Sequence, residues 1–261
     1  MVLSFSVCNV SVMPIRLEPS HRSEQVNELL FGERAEILEL NENDWARIRV
    51  ELDGYEGWCR LGQLSMVSRK DYRKAAKHMC ASHNSRLAFS KGELWVPLGA
   101  DLHGLKSGKI IVGAELAKYK GKKLSLKKTK LDTESIKVAA IQYLHAPYRW
   151  GGRSIAGIDC SGLTQMAFKL CGKAILRDAA QQATEGVLVD FLQNAQCADL
   201  AFFENKDGKI VHVGILLDNQ TIIHATDTSG KVVIDRIDQG GIISVSLKRR
   251  THNLRMVRRV I

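Results

Sequence analysis

The sequence predicts an α+β chain: one or two small β-barrels, then a half that runs helices first and antiparallel strands afterwards. Two textures carry this reading. Up to residue 66, short strand-like runs are separated by turn residues, Pro19-Ser20-His21, Asn41-Glu42-Asn43 and Asp53-Gly54. From Asp132 onward, apolar residues recur at helical spacing and β-rich runs follow them, an order that argues against parallel βαβ units. At 261 residues the chain exceeds the common single-domain size. The expected domains are 1–66, 67–131 and 132–261.

In the first segment, strands are expected at 4–14, 34–40, 44–50 and 55–59, close enough in sequence to form a small antiparallel barrel. Residues 67–131 open on a basic, helix-compatible patch at 69–78. Strands are then expected near 85–87, 94–97, 109–112 and 115–117, a second barrel or a basic linker region. In the last segment Asp132 or Thr133 should cap a helix over 136–144. A second helix should start at Asp159 or Cys160 and stop at Leu170, before Cys171-Gly172. A looser helical stretch at 179–186 and strands at 200–203, 211–217, 221–225 and 230–235 complete the expectation.

Net charge is +10, from 38 basic and 28 acidic side chains, which by itself suggests an anionic partner. Its distribution says otherwise. Residues 1–66 carry 6 basic and 11 acidic groups, 67–131 carry 16 and 4, and 132–261 carry 16 and 13. The excess therefore sits in the middle segment, where the tract 118–130 holds seven lysines. With no aromatic platform or base-reading motif beside them, these lysines read as a solvated, mobile linker, and nucleic acid is not an expected partner.

The uncharged run 1–15 alternates apolar and small polar residues and lacks a basic leader, so it reads as a first strand rather than a signal peptide or membrane span. The six cysteines form no CxxC pair and no zinc-like cluster. A reduced, cytoplasmic setting is expected, with no metal, no organic cofactor and no membrane partner.

The chemistry concentrates in "APYRWGGRSIAGIDCSGL", residues 146–163. Glycines 151, 152 and 157 permit tight turns, and Cys160 would lie at a helix start. There the unpaired backbone N–H groups and the helix dipole should lower a thiol pKa and could hold an oxyanion. A base need not be near in sequence. His212 lies in an apolar strand, where a lone histidine is ordinarily a packing residue. His224, however, falls twelve residues later in the next strand, and a hairpin turning at 218–220 would set the two side by side. His224 could then orient the His212 imidazole.

Two resemblances follow from the quoted residues. "LLFGERAEILELNENDWARIRVELDGYEGWCRLGQL" resembles a bacterial SH3-like (SH3b) domain. "PYRWGGRSIAGIDCSGLTQMAF", "RDAAQQ", "ADLAFF…KIVHVGILLD" and "IIHATD" are similar, in order and spacing, to the NlpC/P60 family of papain-like cysteine peptidases. That resemblance implies Cys160 as nucleophile, His212 as general base, His224 as the orienting third residue and Tyr148 as an oxyanion donor.

The pairing with SH3b is similar to γ-D-glutamyl-L-diamino acid endopeptidases (dipeptidyl-peptidase VI), which act on murein peptides with a free N-terminal L-Ala. In that subgroup the SH3b domain closes one end of the cleft. Asp159 then matches the acidic partner of the substrate ammonium, while Trp150, Ser161 and Tyr55 match further substrate-binding positions. A glutamate of the SH3b domain, Glu24 or Glu28, should help hold the amine. At 177–179 this chain has Arg-Asp-Ala where the family often has Arg-Asp-Ser, so a hydroxyl contact is lost. The competing expectations are an endopeptidase of intact cell wall and a non-catalytic wall-binding protein.

Overall fold

The computed structural model describes residues 2–261. Two compact units emerge: one runs up to Thr129 and includes Arg153–Ile155, the other comprises Lys130–Gly152 and Ala156–Ile261. The boundary at 129/130 lies close to the expected 131/132. Residues 1–66 and 67–129 fall in one unit, although each builds its own sheet.

The first unit begins with seven antiparallel strands: β1 (Ser4–Cys8), β2 (Val12–Arg16), β3 (Gln25–Leu30), β4 (Arg34–Leu40), β5 (Trp45–Val50), β6 (Glu56–Arg60) and β7 (Leu64–Val67). Their order, β3-β2-β6-β5-β4-β1-β7, wraps an apolar interior that includes Met13, Ile15, Leu29, Ile37, Ile48 and Cys59. The fold is the SH3-like barrel expected. In β5 the period of two is plain: Ala46, Ile48 and Val50 are buried, while Arg47 and Arg49 face Glu56 across the ladder at 2.8 Å.

The single strand expected at 4–14 is two. The chain breaks at Asn9-Val10-Ser11, so β1 pairs with β4 and β7 while β2 pairs with β3 and β6. Strand β3 escaped the sequence reading because Asn27 and Glu28 are buried in it, which erases the apolar alternation. Gly57 in β6 has a packing reason. A Cβ there would lie 2.5 Å from the Ile15 side chain and 2.9 Å from the Arg16 carbonyl, so only glycine admits this close approach of β6 to β2.

After a one-turn helix α1 (Arg69–Tyr72) come β8 (His78–Cys80), β9 (Arg86–Ala88), β10 (Glu93–Trp95), β11 (Lys109–Val112), β12 (Glu115–Lys120) and β13 (Lys123–Ser125). Four of them form the sheet β10-β9-β12-β11, and β13 pairs with β8. This corrects the reading of 118–130 as a mobile linker. Ala117 and Tyr119 point inward on β12, so Lys118 and Lys120 are outward positions of an ordered strand. The helical patch at 69–78 is likewise shorter than expected, because the chain turns into β8 at His78.

The short strand β14 (Arg153–Ser154) belongs to the first unit. Arg153 is fully buried there. Its guanidinium meets both Glu33 oxygens at 2.8 and 3.0 Å and donates to the Glu28 carbonyl at 2.8 Å, while its backbone N–H donates to the Glu28 carboxylate at 2.9 Å.

The second unit holds α2 (Thr133–Ile141), β15 (Gly157–Ile158), α3 (Cys160–Leu170), α4 (Ala179–Gln182), and strands β16 (Val187–Val189), β17 (Leu200–Glu204), β18 (Ile210–Leu216), β19 (Thr221–Thr226), β20 (Lys231–Asp238), β21 (Gly241–Ser244) and β22 (Arg249–Arg259). Helices precede an antiparallel sheet ordered β16-β22-β17-β18-β19-β20-β21, the α+β arrangement expected. Asp132 caps α2, its carboxylate accepting the Ser135 N–H at 2.8 Å. Helix α3 ends where Gly172 adopts φ +86°, a left-handed position suited to glycine. Among the described residues, no helix is long and apolar enough to cross a membrane.

The Arg153–Glu33 pair generates a prediction. Removing one partner of a buried, bidentate ion pair leaves the other charge desolvated, which costs about 3–5 kcal/mol. Glu33→Ala should therefore lower unfolding free energy by about that amount in a urea titration. A change of less than about 1 kcal/mol would show that the pair contributes little to the fold.

Candidate active site

Cys160 is the first residue of α3 and Asp159 is its N-cap, as the helix-start reading anticipated. Asp159 Oδ1 accepts the Gly162 N–H at 2.7 Å, and Oδ2 accepts the Gly151 N–H at 2.8 Å. The same carboxylate takes both ends of the Arg177 fork, at 3.0 and 2.6 Å. Arg177 also donates to Ser161 Oγ at 2.7 Å. Asp159, Ser161 and Arg177 are all buried. Although burial disfavours its charge, Arg177 is held above the ordinary guanidinium pKa by Asp159.

Asp159 thus has four donor nitrogens within 3.0 Å, two of them from a cation that the sequence reading did not supply. Gly162 permits the tight packing at the helix start, since a Cβ there would lie 2.2 Å from the Gly152 carbonyl oxygen. Next along the chain from Arg177, Asp178 caps α4 and Ala179 begins it, carrying no hydroxyl.

The Cys160 thiol is buried. Desolvation and then the Asp159 charge push it up, to about 12, although the Val213 and Ser161 N–H groups and Arg177 pull the other way. The expected lowering at a helix start is therefore outweighed by burial, which favours the neutral thiol. The Val213 N–H that reaches the Cys160 sulfur belongs to β18, whose preceding residue is His212. Burial first, then His224 and His252, hold His212 well below the ordinary imidazole value. Burial thus works against the charged form of both Cys160 and His212.

His212 and His224 are brought side by side as the hairpin reading required. The turn is tied by Asp218, whose carboxylate accepts the Gln220 and Thr221 N–H groups at 2.8 and 2.7 Å. His212 Nε2 and His224 Nδ1 lie 2.9 Å apart, and His224 Nε2 lies 3.2 Å from Asp235 Oδ2. Behind them His252, on β22, stacks on His212 with centroids 4.1 Å apart and planes inclined by 23°. Asp235 and His252 were missed in the sequence, where each is one polar residue in a charged strand with no motif around it.

Three imidazoles with ring nitrogens within 4.8 Å of one another are chemically competent to hold a borderline metal ion. Here one His212–His224 nitrogen pair is already joined by a hydrogen bond, which a metal ion would have to displace.

Tyr148 is half-buried beside the nucleophile, its N–H bonded to the Gly230 carbonyl at 2.8 Å. Burial, then Cys160 and Asp159, push its phenol up, so it remains a donor. Trp150 is exposed. Of the first-unit candidates, Tyr55 packs half-buried against the barrel interior and its N–H donates to the Asp53 carboxylate at 3.0 Å. Glu28 is buried and engaged with Arg153 and Gln25, whereas Glu24 is exposed.

A helix-start cysteine, a strand histidine and a third polar residue orienting it define a papain-like cysteine peptidase site. The sequence profile of the NlpC/P60 family matches residues 145–251, and that of the bacterial dipeptidyl-peptidase SH3 domain matches residues 15–64. The chain thus carries an NlpC/P60 cysteine peptidase domain, preceded by an SH3 domain of the bacterial dipeptidyl-peptidase type.

It is 27% identical to dipeptidyl-peptidase 6 of Lysinibacillus sphaericus over 85% of this chain and 88% of the relative. It is 28% identical to γ-D-glutamyl-L-lysine dipeptidyl-peptidase of Bacillus subtilis over 79% of this chain and 74% of the relative. The crystal structure of an NlpC/P60 family protein from Bacillus cereus superposes with a TM-score of 0.84 at 19% identity, covering 98% of this chain and 99% of the other, a likeness of fold.

The histidine cluster predicts an acid-labile site. His252 is depressed to about 4 from an ordinary 6.5, by burial and then by His224, and His212 is also held well below the ordinary value. Below pH 6.5 the unfolded chain binds these protons and the folded chain does not. Their contribution is thus complete above 6.5 and is lost as pH falls toward 4. His252→Gln should lose less stability than wild type between pH 7 and 4.5 in urea midpoints. Identical pH slopes would refute the assignment.

Proposed function

We propose that the enzyme hydrolyses the bond between the γ-carboxyl of D-Glu and the following diamino acid in murein peptides that begin with a free L-Ala, in cytoplasmic peptide recycling. The observation that carries the reading is the union, in one chain, of the Cys160–His212–His224 site with a dipeptidyl-peptidase-type SH3 domain. Two relatives named dipeptidyl-peptidases align along 88% and 74% of their own length. The relatives named probable endopeptidases, from Corynebacterium glutamicum and Listeria grayi, align over only 37–39% of this chain. Alignment well beyond the catalytic domain in the first two relatives supports a dipeptidyl-peptidase over an endopeptidase of intact wall, although a third so named, from Bacillus cereus, aligns over 39% of this chain.

The chemistry follows from the site. The Cys160 sulfur attacks the γ-carbonyl carbon as its proton passes to His212. Charge developing on the carbonyl oxygen is met by the Cys160 N–H and the Tyr148 hydroxyl. His212 returns the proton to the leaving amine of the diamino acid, leaving a thioester. Water, deprotonated by His212, then releases L-Ala-γ-D-Glu and the free thiol. Asp159 keeps the helix start in place and, sharing its charge with Arg177, contributes to recognition of the substrate amine. Trp150 and Ser161 contribute to substrate binding.

Incubation with L-Ala-γ-D-Glu-meso-diaminopimelate should release the dipeptide, and Cys160→Ala should lose about 10⁴-fold or more in kcat. Acetylating the L-Ala amine should slow cleavage by about 10²-fold, the loss expected when a bound charge loses its partner. Equal cleavage of the blocked peptide, or faster turnover of intact sacculi, would replace this reading with the wall-endopeptidase one.

A further inference from the structure

We infer that Asp235 is a positioning residue of this peptidase: acting through His224, it sets the tautomer of His212 so that Nδ1 is the base. The inference rests on the cysteine-peptidase reading of the site and extends it by one residue and one assigned proton.

Each step follows from hydrogen-bond capacity. Asp235 lies on β20, diagonal to His224 in the ladder where His224 pairs with Val233 and Ile222 with Asp235. Its carboxylate is 4% exposed, with Oδ1 accepting the Val245 N–H at 2.8 Å and Oδ2 lying 3.2 Å from His224 Nε2. Burial works to raise its pKa, but the hydrogen bonds from His224 and Val245 outweigh burial and hold it below the ordinary carboxylate value.

An ionised carboxylate only accepts, so His224 Nε2 carries the hydrogen. A neutral His224 then has its lone pair on Nδ1, which lies 2.9 Å from His212 Nε2. That nitrogen must therefore donate, and Nδ1 of His212 is left as the ring nitrogen able to take the Cys160 proton. His252, stacked on the His212 face, opposes rotation of the ring out of this chain.

The Val245 N–H makes Asp235→Asn a sharp test. In the variant the amide oxygen is needed at Val245, so the NH₂ faces His224 Nε2. That nitrogen must then accept, His224 Nδ1 must donate, and His212 is driven to the tautomer with hydrogen on Nδ1. Asp235→Ala imposes no tautomer, and a free imidazole favours hydrogen on Nε2, the productive form. The expected order of activity is wild type, then D235A, then D235N. D235N should lose about 10²–10⁴-fold in kcat, the upper figure being the cost of the same error in a serine-peptidase triad. A merely structural role predicts the reverse order, since alanine removes more contacts than asparagine.

Two measurements keep the inference separate from the substrate. Iodoacetamide alkylation of Cys160, mapped by mass spectrometry, should follow the same order without any peptide present. If alkylation follows the order while no murein peptide is cleaved by wild type, the substrate proposal fails and this inference stands. Long-range ¹H–¹⁵N NMR of wild type at neutral pH should show hydrogen on His212 Nε2 and none on Nδ1. Hydrogen on Nδ1, D235N as active as wild type, or D235N faster than D235A would each overturn it. The NMR arm decides the matter even where D235N does not fold.

Discussion

Asp159 and Arg177 meet at 2.6 Å with both side chains almost entirely out of solvent, and the start of the nucleophile helix is built around them. The carboxylate that caps α3 through Gly162 also holds the 151 loop through its N–H, while the guanidinium that neutralises it holds Ser161. Cys160 sits between those anchors. Losing one side of such a pair would leave a buried charge uncompensated and release the helix start and the loop together. The cost is also chemical. Burial first, and then this negative charge, raise the thiol and disfavour its ionised form.

The imidazole chain answers that constraint. With Cys160 raised and His212 depressed, burial disfavours charge on both groups, and the direction of proton transfer depends on which His212 nitrogen carries hydrogen. Strands β18, β19, β20 and β22 contribute His212, His224, Asp235 and His252 in turn. The antiparallel sheet is thus both scaffold and wiring, since its register sets which polar side chains can meet. Its apolar interior, with Phe203 against both His212 and His252, supplies the desolvation that keeps the rings neutral.

The charge distribution has a structural reading as well. The lysines of β12 stand on the outer face of a formed sheet, Lys118 opposite Lys109 and Lys120 opposite Arg86. Like charges so placed repel, and Glu93 relieves part of this by reaching Arg86 and Lys120 at 2.9 and 3.2 Å. The excess positive charge therefore belongs to an ordered module.

Local pattern carried much of this protein. The helix caps at Asp132 and Asp159, the helix-start position of Cys160, the hairpin that joins two histidines and strands β4, β5 and β6 of the first barrel all depend on neighbours within about a dozen residues, which spacing and turn chemistry report. What stayed hidden was every feature whose cause lies far along the chain. Strand β3 looked non-periodic because it buries Asn27 and Glu28, and Glu28 is satisfied by Arg153, 125 positions away. Arg177, Asp235 and His252 acquire meaning only when the fold delivers them to Asp159, His224 and His212. The thiol pKa turned on burial, which no local motif measures. By itself the sequence determined the fold class and placed a cysteine at a helix start and two histidines on one hairpin. The tertiary structure decided their protonation and orientation, because desolvation and long-range hydrogen bonds exist only once the sheet and helix are packed.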